Sequence, residues 1–258
     1  MRIIVLMKVV QDTYVERTLS LETGLAERSA DTAVLDEVDE RALEVALSYA
    51  DAHEATEVVL LAMAPELAQP TLRKALAMGA TDAVQVVDDA LVGADLMLTA
   101  EVLAAAARHA GFDLIVAGNA STDGMGGAVP AAMAELLAVP CATFLSSVEI
   151  TEDAVTGVRA SDAAAVSVSA PLPALISVTE ALPDARLPNF KGLMAAKKKE
   201  IAVLSLAELG VDAEDPAVPR SIMIAARERP PREAGVKIVD SGDAGERLAD
   251  FLVENRLA

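Results

Sequence analysis

A glycine-rich run, Gly118-Asn-Ala-Ser-Thr-Asp-Gly-Met-Gly-Gly127, contains the residue types in this chain that are best suited to hold a ligand. It follows an apolar stretch that is typical of a strand and precedes an Ala-rich stretch that is typical of a helix. Glycines permit positive φ angles and a close backbone approach, and the first N–H groups of a helix have no partner within it. At the carboxyl end of a parallel strand, such a turn suits a phosphate group.

An ordinary glycine-rich turn is the alternative interpretation, with Asp123 only capping the helix that follows. The run matches neither the Walker A pattern nor the G-x-G-x-x-G pattern of dinucleotide-binding proteins. Asn119, Ser121 and Thr122 add neutral hydrogen-bond donors beside the glycines. The local pattern therefore predicts a phosphate site but does not name the ligand that carries the phosphate.

Few side chains in this sequence could perform acid–base or covalent catalysis. His53 and His109 both fall at predicted helix ends, where an imidazole suits the helix dipole. Cys141 lies in an apolar stretch and is predicted to be a small buried hydrophobic residue. The His, Cys, Asp and Glu residues show no metal-ligand spacing, and most acids are interpreted as solvated helix faces. We expect a nucleotide-binding component with no catalytic residue and no metal.

Strands and helices alternate along the first two thirds of the chain. Apolar runs predict strands at residues 3–9, 58–63, 83–87, 113–118, 139–150 and 174–178. Helical spacing of apolar residues predicts helices at residues 36–50, 65–78, 96–110 and 128–137. This alternation predicts an α/β fold, a Rossmann-like parallel sheet with helices on both faces.

The character of the sequence changes after Thr179, where Pro and basic residues become more frequent. We predict an α/β nucleotide-binding domain at residues 1–179 and an extended C-terminal arm at 180–258, ending in a helix at 245–257. An arm of this length without its own core is either disordered or held by another protein. The apolar patches at 201–204 and 222–224 favour the second, so we expect the arm to wrap a partner subunit.

Within the arm, residues 185–199 join an apolar, turn-prone segment to a basic helix. Large apolar side chains in a loop have little core to enter, so they predict anchors for a partner protein. The alternative is a loop that folds back on its own domain. The predicted partner-binding residues are Leu187, Pro188, Phe190, Leu193, Met194 and Lys197.

Composition limits the classes of function. The 258 residues are 53% hydrophobic but only 2% aromatic, so the core is built from small aliphatic side chains. The formal charge of −19 repels phosphate backbones and argues against a nucleic-acid partner. We expect no membrane insertion, because no apolar run is long enough to span a bilayer. The N-terminal apolar run is too short for a signal peptide, and the single cysteine suggests a reducing compartment, so a cytoplasmic location is expected.

Six segments together resemble one known family, the β subunits of electron transfer flavoproteins, and the resemblance covers nearly the whole chain. The runs Leu72-Arg-Lys-Ala-Leu-Ala-Met-Gly-Ala-Thr-Asp82 and Asn189-Phe-Lys-Gly-Leu-Met-Ala-Ala-Lys-Lys-Lys199 are the specific ones. The glycine-rich turn alone is not diagnostic. The other carriers of the resemblance are residues 3–13, 35–44, 118–130 and 229–237.

The resemblance implies a heterodimer with an α subunit that carries the redox FAD, while the β subunit holds a structural AMP. It also implies electron transfer from acyl-CoA dehydrogenases, as in fatty acid β-oxidation, or from related flavin dehydrogenases, and onward transfer to a membrane quinone reductase. Residues 184–200 correspond to the family's recognition loop for the dehydrogenase. The nucleotide-binding positions implied by the family motif are Leu6, Asp36, Val38, Asp39, Met63, Gly118, Asn119, Ser121, Thr122, Asp123, Gly126, Gly127, Ala128 and Val129.

The sequence departs from many relatives in two places. The turn reads Gly126-Gly-Ala-Val-Pro130 where relatives often carry Gln and Thr or Val, so backbone N–H groups must replace side-chain contacts. The run Ala185-Arg-Leu187 replaces a Pro-Arg-Tyr run and lacks its aromatic ring.

Two alternatives stay open beside the AMP-binding electron carrier. One is a bifurcating electron transfer flavoprotein that uses NADH and binds a second flavin in this subunit. The other is a nucleotide-sensing protein of the universal-stress type, which would end soon after the last predicted strand.

Overall fold

The computed structural model describes residues 1–232, 234–235, 237 and 239–257. Within them, nine strands form one sheet, and a separate two-stranded hairpin lies beside it. The strands are β1 Arg2–Leu6, β2 Val9–Gln11, β3 Ala33–Leu35, β4 Glu57–Met63, β5 Asp82–Val86, β6 Leu114–Gly118, β7 Cys141–Ile150, β8 Ala154–Ala160, β9 Ala165–Pro171, β10 Ala174–Val178 and β11 Ile201–Leu204. The helices are α1 Glu37–Ala52, α2 Gln69–Met78, α3 Leu96–Ala110, α4 Val129–Leu137, α5 Phe190–Ala196, α6 Leu206–Leu209 and α7 Ala244–Glu254.

The large sheet has the order β11-β5-β4-β1-β6-β10-β7-β8-β9. All neighbours from β11 to β7 are parallel, and β8 and β9 continue the sheet as antiparallel strands. Helices α1, α2 and α5 cover one face, and α3, α4 and α6 cover the other. The predicted α/β fold, a mostly parallel sheet between two helical layers, is confirmed.

Local signals end the helices where the sequence predicts. Asp36 caps α1 by accepting a hydrogen bond from the Val38 N–H, and Gly79 ends α2 with a φ of 138°. His53 is the C-cap of α1, where its ring stacks on Tyr49 with a centroid distance of 3.9 Å. His109 lies in the last turn of α3. Both histidines therefore occupy the helix ends that the sequence predicts.

Three sequence predictions differ from the structure. The predicted strand at 3–9 is two strands, because the chain leaves the sheet after β1 and Val9 starts the antiparallel β2–β3 hairpin. Cys141 is exposed rather than buried, since it is the first residue of β7 and follows Pro140 at the strand's open end. The sequence analysis assigned no strand to residues 151–173, where β8 and β9 form.

The segment at 201–204 lies inside the sheet, although the sequence predicts it as a patch for another protein. β11 pairs in parallel with β5 from Ile201 opposite Ala83 to Leu204 opposite Val86. Leu204 is buried there, so part of this apolar patch is covered within the chain. The resemblance motif at 229–237 and the end of the predicted arm include residues that lie outside the described part.

Candidate functional site

The chain reverses its direction of travel across the sheet at β1. From β1 it moves outward through β4 to β5, and it then returns to place β6 on the other side of β1. The carboxyl ends of β1 and β6 therefore diverge into helices on opposite faces, which leaves a crevice between them. In open α/β sheets this switch point is where ligands bind.

Asp39, on the first turn of α1, bridges the two strands at the switch point. Its Oδ2 accepts a hydrogen bond from Lys8 N at 2.8 Å, and its Oδ1 accepts one from Gly118 N at 3.0 Å. A Cβ at position 118 would lie 2.6 Å from Oδ1, so only glycine allows this approach. Burial, together with the charge of Asp36, raises the pKa of Asp39 to about 7.

Asp36 ties the glycine-rich turn to the start of α1. Its carboxylate is fully buried, and Oδ2 accepts hydrogen bonds from both Thr122 N at 2.7 Å and Thr122 Oγ1 at 2.8 Å. Val38 lies beside it, and its Cβ is 3.2 Å from where a Cβ on Gly118 would be. The turn is thus fixed on α1 before any ligand binds.

Asp123 does not cap α4, as the alternative interpretation of the turn proposed. Its carboxylate accepts hydrogen bonds from Lys8 Nζ at 2.6 Å and Arg28 at 2.7 Å. Burial alone would raise the pKa of Asp123, but the hydrogen bonds from Lys8 and Arg28 lower it well below its usual range. Lys8 Nζ also donates to Ser121 Oγ at 3.0 Å, and Gly124 N donates to the same oxygen at 3.2 Å.

Lys8, Arg17 and Arg28 are the residues that the sequence analysis missed. Arg17 donates to the carbonyl of Thr122 and, at 3.0 Å, to that of Gln11. Lys8 could have been noticed because it follows the first strand directly. Arg17 and Arg28 gave no signal, since they reach the turn across 105 and 95 residues of sequence.

The start of α4 provides free backbone donors. Ala128 is the N-cap and makes no side-chain capping hydrogen bond, and Pro130 stands in the first turn. Gly127 has a φ of 64°, which turns the chain into the helix. Since Ser121, Thr122 and Asp123 are engaged within the turn, the N–H groups of residues 126–129 are the donors left to meet an anion.

Apolar side chains line the neighbouring strand ends. Leu6, at the end of β1, is buried, and Met63, at the end of β4, is half-buried; both pack toward the α3–α4 face. Asn119 N donates to Val178 O at 2.9 Å, which aligns the turn with the end of β10. The structure therefore brings the predicted residues on β1, β4, β6, α1 and the turn to one edge of the sheet.

The predicted partner-binding residues lie apart from the turn, on and before α5. Leu187 is 90% exposed, Phe190 is 79% exposed, and Leu193 and Met194 are each 44% exposed. Pro188 is half-buried and Lys197 is exposed. Phe190, Leu193 and Met194 lie on a helix rather than in a loop, because Asn189 caps it by accepting from Gly192 N at 2.8 Å.

Several contacts hold this segment to the domain. Arg186 pairs with Glu44 and with Asp51, each at 2.8 Å, on α1. Gly192 packs against α2 so closely that a Cβ would lie 2.2 Å from Ala77 O. Arg73 donates to the carbonyls of Ala196 and Lys199, and the Lys199 ammonium donates to the carbonyl of Ala80. A fixed backbone thus presents the exposed apolar side chains.

Searches of the described residues for two other kinds of site gave nothing. No group of His, Cys, Asp and Glu side chains in this part of the chain is placed to hold a metal ion. No described helix combines the length and the apolar character needed to cross a bilayer.

Comparison with known proteins decides the family. The model of the electron transfer flavoprotein domain matches residues 23–209. The chain belongs to the family of electron transfer flavoprotein β subunits. It is 42% identical to the electron transfer flavoprotein subunit beta of Mycobacterium bovis over 262 residues, which covers 99% of this chain and 98% of that one.

More distant relatives show the same coverage or nearly so. The electron transfer flavoprotein subunit beta of Bacillus subtilis is 34% identical over 98% of this chain and 96% of its own length. The caffeyl-CoA reductase-Etf complex subunit CarD of Acetobacterium woodii is 32% identical over 83% of this chain and 82% of its own. Family membership replaces the universal-stress alternative.

Proposed function

We propose that this chain forms a heterodimer with an electron transfer flavoprotein α subunit, holds a structural AMP, and docks flavin dehydrogenases. Electrons from an acyl-CoA or related dehydrogenase pass to the FAD on the α subunit and then to a membrane quinone reductase. The free thiol of Cys141 is consistent with a reducing, cytoplasmic location.

The switch-point crevice is the observation that carries the nucleotide assignment. Backbone donors at residues 126–129 face it without a side-chain cap, and buried carboxylates fix the turn in advance. The polar side chains of the turn bond to each other and to Lys8 and Arg28, which suits a stable binding site rather than a reacting one. A ligand held there stabilises the folded subunit by mass action.

The exposed apolar side chains around α5 support the docking role. Leu187, Phe190, Leu193 and Met194 form one short apolar surface on a backbone that α1 and α2 hold in place. A transient redox encounter uses a small interface with a few anchors. The same rigidity keeps the anchors ready without an ordering cost.

The substitution Gly127→Asp tests the nucleotide assignment. A carboxylate at the start of α4 repels a phosphate, and an L side chain is strained at a φ of 64°. We expect the variant complex to lose most of its AMP, measured by acid release and mass spectrometry, and to melt at a lower temperature. Gly210→Asp is the matched control, because its φ is 66° and no atom lies within 4 Å of its Cβ.

The same experiment distinguishes the bifurcating alternative. A wild-type complex that releases two FAD molecules per heterodimer and no AMP would replace the AMP assignment with a second flavin and NADH-linked chemistry. Equal AMP content in Gly127→Asp and in the Gly210→Asp control would place the nucleotide away from this turn.

A further inference from the structure

Phe144 has a backbone conformation that a bulky residue rarely adopts. Its φ is 59°, in the left-handed region. Strain of this kind persists only where the surroundings impose it, and it is concentrated at functional sites. Two features impose it here. Phe144 N donates to the buried Ser177 Oγ at 3.0 Å, and a bulge interrupts the pairing of β7 with β10.

The bulge directs the Phe144 side chain out of the regular alternation of β7. Ala142 pairs with Ile176 and Leu145 pairs with Val178, so residues 143 and 144 together face Ser177. Leu145, the next residue, is fully buried, whereas Phe144 keeps 40% of its surface exposed. Core packing therefore explains the position of Leu145 but not the strained conformation of Phe144. Bulges commonly re-aim a side chain beside a functional site.

The Phe144 ring meets the glycine-rich turn at its last glycine. Its Cζ is 3.5 Å from the place where a Cβ on Gly127 would be. Gly127 stands one residue before the N-cap of α4, so the ring lies beside the free N–H groups that would hold the phosphate. An apolar wall there excludes water and strengthens hydrogen bonds between those amides and an anion.

We propose that Phe144 is a nucleotide-binding residue whose ring forms an apolar wall against the phosphate-proximal part of the bound nucleotide. This inference rests on the proposed nucleotide site. The ligand class is a phosphate ester with an organic group next to the phosphate, since an apolar wall gains nothing from contact with a free phosphate ion. The strained backbone at Phe144 is the means by which β7 delivers a ring to a turn on α4.

The substitution Phe144→Gly separates binding from stability. Glycine adopts a φ of 59° without strain, so we expect the melting temperature of the nucleotide-free complex to stay the same or rise. The Kd for AMP, measured by calorimetry on the complex after nucleotide removal, should rise at least tenfold. Phe144→Tyr keeps the ring and should bind AMP as the wild type does. Inorganic phosphate serves as a second probe, and its weak binding should change less than that of AMP.

Ala138→Gly is the control for relief of strain. Its φ is 56°, and it lies at the opposite end of α4, so it should leave the Kd for AMP unchanged. A Phe144→Gly complex that binds AMP normally, or one that is destabilised without a change in AMP affinity, would overturn the inference while the proposed function stands. A wild-type complex with no affinity for AMP would overturn both.

Discussion

At the residue scale, two buried carboxylates on α1 organise the site through backbone bonds. Asp36 fixes Thr122, and Asp39 bridges the ends of β1 and β6. They lie close together on the first turn of one helix, and burial with mutual repulsion raises the pKa of Asp39 to about 7. One carboxylate thus has an ionisation that folding changes strongly, while its geometry holds the switch point.

The pKa of Asp39 predicts how stability depends on pH. Because its native pKa lies above its unfolded value, the native state binds the extra proton, and this contribution is lost as pH rises toward and through 7. Between pH 5.5 and 8 the loss is about 2 kcal/mol. Asp39→Asn should remove most of this difference, measured by urea unfolding at fixed complex and nucleotide concentrations.

Asp123→Asn is a control of opposite sign. The native pKa of Asp123 is lowered, so its stabilisation is present above its unfolded pKa and lost only in acid. This variant should therefore be less stable by a similar amount at pH 5.5 and at pH 8. A wild-type stability that does not fall between these two pH values, or an unchanged slope in Asp39→Asn, would contradict the raised pKa.

At the element scale, α5 separates the residues that hold a helix from those that it presents. Ala196 is buried, and Gly192 faces Ala77 on α2, whereas Phe190 and Leu193 point away from the domain. A short helix of this kind can lose its exposed side chains without losing its packing. The two sets of residues can therefore be tested separately.

The double substitution Phe190→Ala/Leu193→Ala should weaken donor docking without lowering stability. Truncation of the larger anchor alone costs about 1–3 kcal/mol of partner binding, or about 10- to 100-fold in affinity. We expect an unchanged melting temperature and flavin content, and slower electron transfer from the dehydrogenase at low donor concentration. Reduction by dithionite should stay normal.

Gly192→Ala provides the contrasting result for the same helix. Its Cβ would meet Ala77 O at 2.2 Å, so α5 must shift away from α2. This variant should lose both stability and donor docking. If the double variant melted early as well and kept normal donor kinetics once folded, Phe190 and Leu193 would be packing residues rather than anchors.

At the scale of the whole molecule, the chain beyond α6 has apolar side chains without a core of its own. Arg220 pairs with Glu101 at 2.6 Å and Ser221 N donates to Asp95 at 2.6 Å, which fixes the start of this segment on α3. The large apolar residues after this point are exposed: Ile222, Met223, Ile224, Val239, Leu248, Phe251, Val253 and Leu257. Such a surface is typical of a segment that another protein covers.

We therefore predict different behaviour for the chain alone and for the complex. Expressed alone, it should be colourless and poorly soluble or partly unfolded, because its apolar C-terminal residues remain in water. Co-expression with the α subunit should give a soluble yellow heterodimer, detected by size-exclusion chromatography with absorbance near the flavin bands. A stable yellow monomer that accepts electrons unaided would contradict this division of roles.

The sequence by itself determined the alternation of strands and helices, the helix ends and the position of the glycine-rich turn. These follow from hydrophobic spacing and from glycine and capping residues, which are properties of neighbours along the chain. Exposure of the apolar residues around Phe190 was also predictable, although their helix was not. Asn189 and Gly192 give that helix its cap and its close contact with α2.

Only the tertiary structure decided which groups meet at the site. Arg28 reaches Asp123 across 95 residues, Asp39 reaches Gly118 across 79, and the β7–β10 bulge brings Phe144 to Gly127. The pairing of Ile201–Leu204 with β5 likewise depends on an edge that the apolar pattern does not specify. Local composition states that a side chain can bond or pack, but the partner is chosen by the arrangement of the whole sheet, which no local pattern contains.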